Sequence, residues 1–161
     1  MYAAEDQLRA TLSRGGSVDF FGSTLSMPVE RRFADLPSVQ RYVVAVLALD
    51  SVRSAWPTAD PVRVRERAGA SRAHYEPPGV IAIPLMGSVE RRWAARETVV
   101  LHELAHHLCW AQRDAPHGPR FCGTLVHLYR GALGDGPALL LRAALDGAGI
   151  PVRDVVVEVT R

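Results

Sequence analysis

The sequence predicts one α+β domain: a small sheet joined to a helical half. Three observations carry this. The chain has 161 residues, 48% of them apolar and 22% charged, with a net charge of +2, which is enough for one real core and unlike a disordered chain. Apolar residues recur at helical spacing before Pro57 and again after about Val89. Between these stretches the period shortens to that of strands.

Taken in order, residues 4–14 read as a short amphipathic helix with Leu8 and Leu12 on one face, stopped by Gly15 and Gly16. Ser17 to Phe33 mixes turn residues with short β-like pieces. Pro37 and Ser38 open a stronger helix carrying Val39, Tyr42, Val43, Val46, Leu47 and Leu49, which ends before Pro57. Residues 61–65 alternate apolar and basic, as in a half-exposed strand. Ala73 to Glu76 reads as the next strand, Pro77-Pro78-Gly79 as a turn, and Val80 to Pro84 as a third strand. Pro84 suits a sheet edge, because proline cannot donate to a ladder. A long helix is expected over about 89–113, broken by Asp114-Ala115-Pro116. Pro119 then fits the first turn of a helix reaching about Leu133. A last helix runs from Pro137 to about Asp146. Val152 to Thr160 is a β-branched strand or a tail.

Composition excludes several classes. The longest apolar run, Val43 to Leu49, ends at Asp50, far short of the roughly 20 residues a bilayer needs. The acidic start lacks an apolar leader core, so a cytoplasmic location and no membrane partner are expected. Two cysteines, Cys109 and Cys122, make no disulfide framework. Every one of the 19 basic residues is arginine, a sign of GC-rich codon usage. Acids alternate with these arginines along most of the chain, so the charge permits nucleic-acid contact without arguing for it.

The chemistry lies in His102-Glu103-Leu104-Ala105-His106, an H-E-x-x-H on an expected helix. His102 and His106 differ by about 40° around the axis, so both imidazoles reach one metal. Leu101, Leu104, Ala105 and Leu108 anchor the helix to the core. Glu103 falls about 100° from His102, which suits a carboxylate acting on a metal-activated water rather than a ligand. Catalytic zinc takes three protein ligands and leaves a fourth position open. It lowers the pKa of water from 15.7 to about 7 and polarises a carbonyl, while a carboxylate moves the proton.

The third ligand sorts the classes. One class of such proteases requires Gly three residues and His six residues after the second histidine; Cys109 and Gln112 stand there and exclude it. Another takes a later glutamate, but the downstream acids are Asp114, Asp135, Asp146, Asp154 and Glu158. His117 is the better candidate, with Asp114-Ala115-Pro116 letting the chain reverse and Gly118 permitting close approach or an unusual backbone angle.

His102-Glu103-Leu104-Ala105-His106 followed by His117-Gly118-Pro119-Arg120-Phe121-Cys122 resembles the SprT-like zinc metalloproteases, including the Spartan branch, whose pattern is H-E-x-x-H, a spacer, then H-G-x-x-F. The resemblance covers about Glu97 to Leu128. It is also similar to a group of small actinobacterial metallohydrolases. The resemblance implies a single zincin-like domain over residues 1–161, with one Zn2+ per chain. It implies His102, His106 and His117 as ligands, Glu103 as catalytic base, Phe121 as packing behind the third ligand, and a protein or peptide substrate. The strand ending in Val80 to Pro84 is similar to the zincin edge strand that binds extended peptide. The chain departs from the family in lacking a C-terminal zinc ribbon, since no C-x-x-C pair exists. That departure weakens a DNA-linked role.

Other residues have plainer readings. His107 is a surface histidine or one that supports a ligand; His127 is packing, or a substitute ligand should His117 fail; His74 has no assigned role. Cys109 and Cys122 read as buried thiols. Tyr75 and Tyr129 are oxyanion donors or ordinary tyrosines. Asp114 orients a ligand or does nothing special. Arg31, Arg32, Arg63, Arg65 and Arg67 form solvated positions or a nucleic-acid face. Two alternatives to a metallopeptidase stay open: a zinc hydrolase of a non-peptide amide, and a non-catalytic zinc-containing module that binds protein or nucleic acid.

Overall fold

The computed structural model describes residues 2–68, 72–85, 94–110 and 116–156. The elements are α1 (Tyr2–Leu12), β1 (Gly16–Phe20), β2 (Ser23–Met27), α2 (Leu36–Leu47), α3 (Asp50–Ala55), β3 (Arg63–Glu66), β4 (His74–Glu76), β5 (Val80–Ile83), α4 (Glu97–Cys109), α5 (Pro119–Leu133) and α6 (Asp135–Gly147). The α+β class holds. One apolar core joins Leu8 and Leu12 of α1, Val39, Val43 and Val46 of α2, Ile81 and Ile83 of β5, and the inner faces of α4, α5 and α6.

The N-terminal helix buries Leu8 and Leu12 as expected. A β1–β2 hairpin follows, turning at Phe21 and Gly22, both with positive φ, the geometry whose twist matches paired strands. Its β2 strand lies against α6: a Cβ on Gly136 would meet the Ser26 carbonyl oxygen at 2.5 Å. The single helix expected up to Pro57 is two. Asp35 caps α2, accepting from the Ser38 amide at 2.7 Å. Leu49 then takes an extended conformation (φ −59°, ψ 136°) and restarts the chain as α3.

The three-stranded sheet has the order β3-β5-β4, with β3 parallel and β4 antiparallel to β5. The strand at 80–83 is therefore central, not the peptide-binding edge that its position suggested. Its run Val-Ile-Ala-Ile is apolar on both faces, as a strand covered on both sides must be. Pro84 lies just beyond the last paired residue, so its missing donor does not interrupt the ladder. The outer side of β3 is covered by Gln40, whose amide donates to the Val62 carbonyl at 2.8 Å and accepts from the Val64 amide at 2.7 Å. The strand facing the motif helix along the other edge is β4.

The motif helix begins at Glu97, not near Val89. Residues 94–96 pair instead with residues 31–33: Arg96 bridges Arg32, and Phe33 donates to the Ala95 carbonyl at 2.9 Å. The expected helical residues 89–93 and 111–113, and the breakers Asp114 and Ala115, lie outside the described residues. Buried Glu30 closes the start of α4, accepting from the Thr98 amide at 3.2 Å and from the Thr98 hydroxyl. Buried Glu97 accepts from the Arg31 amide at 3.0 Å and pairs with its guanidinium. Carboxylates at a helix N-terminus satisfy its free amides and oppose the positive end of its dipole. The glutamates thus fix α4 at the end from which the motif is measured.

Pro119 opens α5. The last helix starts at Asp135, two residues before the expected Pro137. Residues 151–156 form no strand. They run along α5, where Arg153 donates to the Pro119 carbonyl at 2.8 Å. A Cβ on Gly123 would fall 1.7 Å from the Arg153 carbonyl oxygen, so glycine is what permits this approach. Residues 157–160 lie outside the described residues.

Candidate metal centre

Two elements build the site. His102 and His106 stand one turn apart on α4, and His117 enters from just before α5. The His117 Nε2 lies 3.2 Å from the His102 Nε2 and 3.0 Å from the His106 Nε2. The three histidines are the set among the described residues whose ligand atoms converge as a metal requires. Nitrogens bound tetrahedrally to zinc at 2.0–2.1 Å are about 3.3 Å apart, close to this spacing. The His102 Nδ1 sits 2.9 Å from Glu5 Oε1. With its proton there, its Nε2 carries a lone pair. A lone pair aimed at two further ring nitrogens is a donor set for a cation. The three rings fit a metal ion.

Local backbone accounts for the third arm. His117 itself, not Gly118, holds the unusual angle: its φ is +61°, whereas Gly118 is extended at φ −72°. A left-handed histidine is uncommon and is tolerated where the surroundings hold it. Cys122 holds it from below, its thiol donating to the His117 carbonyl at 3.6 Å. Phe121, 2% exposed, forms the floor. Its ring centroid lies 5.0, 4.5 and 4.8 Å from those of His102, His106 and His117.

Glu103 is buried beside this triad. Burial pushes its carboxyl up to about 7, against the opposing effects of His102 and of the Tyr75 backbone amide, which hydrogen-bonds it. Burial also drives His106 down to about 3, assisted by the neighbouring His102 and His117, and lowers His117. Neutral imidazoles are the form that ligates metal. A cleft of about 390 Å³ opens over His102 and Glu103, walled by Glu5 and Arg9 of α1 and by Arg72 and Ala73 next to β4.

The remaining candidates are engaged elsewhere. His107 is buried, not a surface residue, with Nε2 2.9 Å from the Asp60 carbonyl and Nδ1 3.1 Å from the Tyr75 hydroxyl. The Tyr75 hydroxyl also contacts the Pro78 carbonyl at 2.6 Å, which ties it to the turn. His127 contacts the Ser51 carbonyl at 3.0 Å and packs on Trp56, away from the triad. Tyr129 is fully buried in the core. His74 pairs with Glu76 at 2.8 Å. Cys109 contacts the Thr124 hydroxyl at 3.3 Å, and neither cysteine forms a disulfide among the described residues. Arg31 and Arg65 are paired with Glu97 and Glu76, which removes two charges from the candidate basic face. Asp114 and Glu158 lie outside the described residues.

Glu5 was not singled out from the sequence. Its sign was present: it sits three residues before Leu8 and seven before Leu12, on the stripe that α1 buries.

Comparison with protein-family models, with curated proteins and with solved structures finds no match. No helix among the described residues is long and apolar enough to cross a membrane.

Proposed function

We propose that this chain is a zinc-dependent metallopeptidase of the SprT-like kind, with His102, His106 and His117 holding one ion and Glu103 as general base. The observation that carries the reading is the convergence of three Nε2 atoms beside a buried glutamate, with a cleft opening over His102 and Glu103.

When bound, zinc supplies Lewis acidity, lowering the pKa of water from 15.7 to about 7 and polarising a carbonyl. The chain's own groups do the rest. Glu103 takes the proton of the attacking water and returns it to the leaving nitrogen. Such positioned proton transfer contributes about 10²- to 10⁴-fold. The Tyr75 amide keeps Glu103 beside the cleft.

The substrate is an extended peptide segment. Along an edge strand, alternate residues turn their amide and carbonyl away from the sheet. The Tyr75 amide is turned towards Glu103, so Ala73, two residues earlier at the cleft wall, belongs to the same outward set. With the Tyr75 amide taken up by Glu103, the Tyr75 carbonyl and the main chain of Ala73 are what remain to hydrogen-bond a peptide beside β4, as in strand addition. The expected contact at residues 80–84 is replaced by this one.

The test is cleavage of an unfolded protein such as casein by the wild type, by E103Q and by the wild type under chelation. Cleavage by the wild type alone supports the reading. Equal cleavage by E103Q or under chelation, or none by zinc-loaded wild type across varied peptides, overturns it.

A further inference from the structure

We propose that Glu5 is the positioning residue of the metal centre, fixing His102 with its proton on Nδ1 so that Nε2 faces the ion. The inference rests on the three-histidine centre proposed above and adds the N-terminal helix to it.

Glu5 lies 97 residues from His102 in sequence, yet its Oε1 is 2.9 Å from the His102 Nδ1. It is only 2% exposed and stands on the same buried stripe of α1 as Leu8 and Leu12. Its second oxygen, Oε2, is buried without a partner among the described residues. A buried carboxyl with a single partner is an expensive way to pack a helix. Leucine or methionine there would dock α1 at lower cost, so packing does not explain the glutamate. The histidine does. A ring that donates Nδ1–H to a carboxylate is locked in one tautomer and orientation, and becomes a more basic ligand at Nε2. A second contact holds α1 in register on the same helix, with Arg9 Nε donating to the Thr98 hydroxyl at 3.2 Å. Docking of α1 thus completes the centre. The helix also walls the cleft through Glu5 and Arg9.

The experiment is zinc affinity by competition with a chromophoric chelator for the wild type, E5A and E5Q, with ring-nitrogen NMR of His102 in the metal-free protein. E5A is expected to bind zinc about 10- to 100-fold more weakly, the usual loss for such an outer partner. E5Q, whose amide oxygen still accepts from Nδ1–H, recovers most of that loss. In wild type the His102 proton resides on Nδ1; in E5A it redistributes towards Nε2. A merely structural role would not move the tautomer. Wild-type affinity in E5A, or a wild-type His102 protonated on Nε2, overturns the proposal. Should E5A fail to fold, the wild-type tautomer and the E5Q affinity decide it. Failure of the wild type to bind zinc overturns the metallopeptidase reading instead, and the tautomer still judges Glu5 separately.

Discussion

The Nε2 atoms of His106 and His117 stand 3.0 Å apart, although one histidine lies in the last turn of α4 and the other precedes α5. Phe121 explains how the two are held. It sits four residues after His117, on the first turns of α5, and its ring touches all three imidazoles at once. The second half of the motif thus supplies both the third arm and the surface on which the three arms rest.

Replacing Glu103 with glutamine should leave zinc in place and lower kcat by about 10²- to 10⁴-fold, the contribution of a positioned general base. The carboxylate contacts the Tyr75 amide and is not among the three groups whose ligand atoms converge. Steady-state cleavage assays alongside metal analysis check both halves. A variant that loses its zinc would mean that Glu103 is a ligand.

His107→Ala should keep its metal. The ring is committed to the Asp60 carbonyl and the Tyr75 hydroxyl, so its loss loosens the packing of β4 on α4 instead. Removal of such buried contacts costs about 1–3 kcal/mol. Urea denaturation reads the destabilisation, and elemental analysis reads the unchanged zinc.

Phe121→Ala should destabilise the fold by about 3–5 kcal/mol, the usual cost of deleting a buried aromatic ring. Because the ring is the floor of the site, zinc affinity should fall as well. A variant with a normal denaturation midpoint, or with full zinc affinity, would separate Phe121 from the centre.

Zinc should raise the melting temperature. An ion at about 100 times its Kd adds about 2.7 kcal/mol, and at this chain length each kcal/mol shifts Tm by about 2–4 °C. A melt in chelator should therefore fall below the zinc-loaded melt by roughly 5–11 °C. Identical melts would contradict binding to the folded chain.

The sequence carried what is local. The helical phase of His102 and His106 and the candidacy of His117 follow from short spacings within one stretch, the packing of Phe121 is what the resemblance to the SprT-like proteases implied, and the structure brings those groups together. What it hid was long-range. The edge of the sheet was misplaced because β5 follows β4 in the chain but lies between β3 and β4 in space. The apolar run Val80–Ile83 was the clue that this strand is central. The start of α4 was misplaced because Arg96 pairs with Arg32, a contact no helical period contains. Glu5 escaped notice because its partner lies at the far side of the fold.

The central claim is the three-histidine centre, and zinc content tests it most directly. Wild type, E103Q and H117A are purified without added zinc and measured by elemental analysis. The account predicts about one zinc per chain in wild type and E103Q. In H117A it predicts loss greater than the roughly 10- to 100-fold weakening expected for an outer partner. No zinc in wild type even when it is offered, or full zinc in H117A, would contradict it.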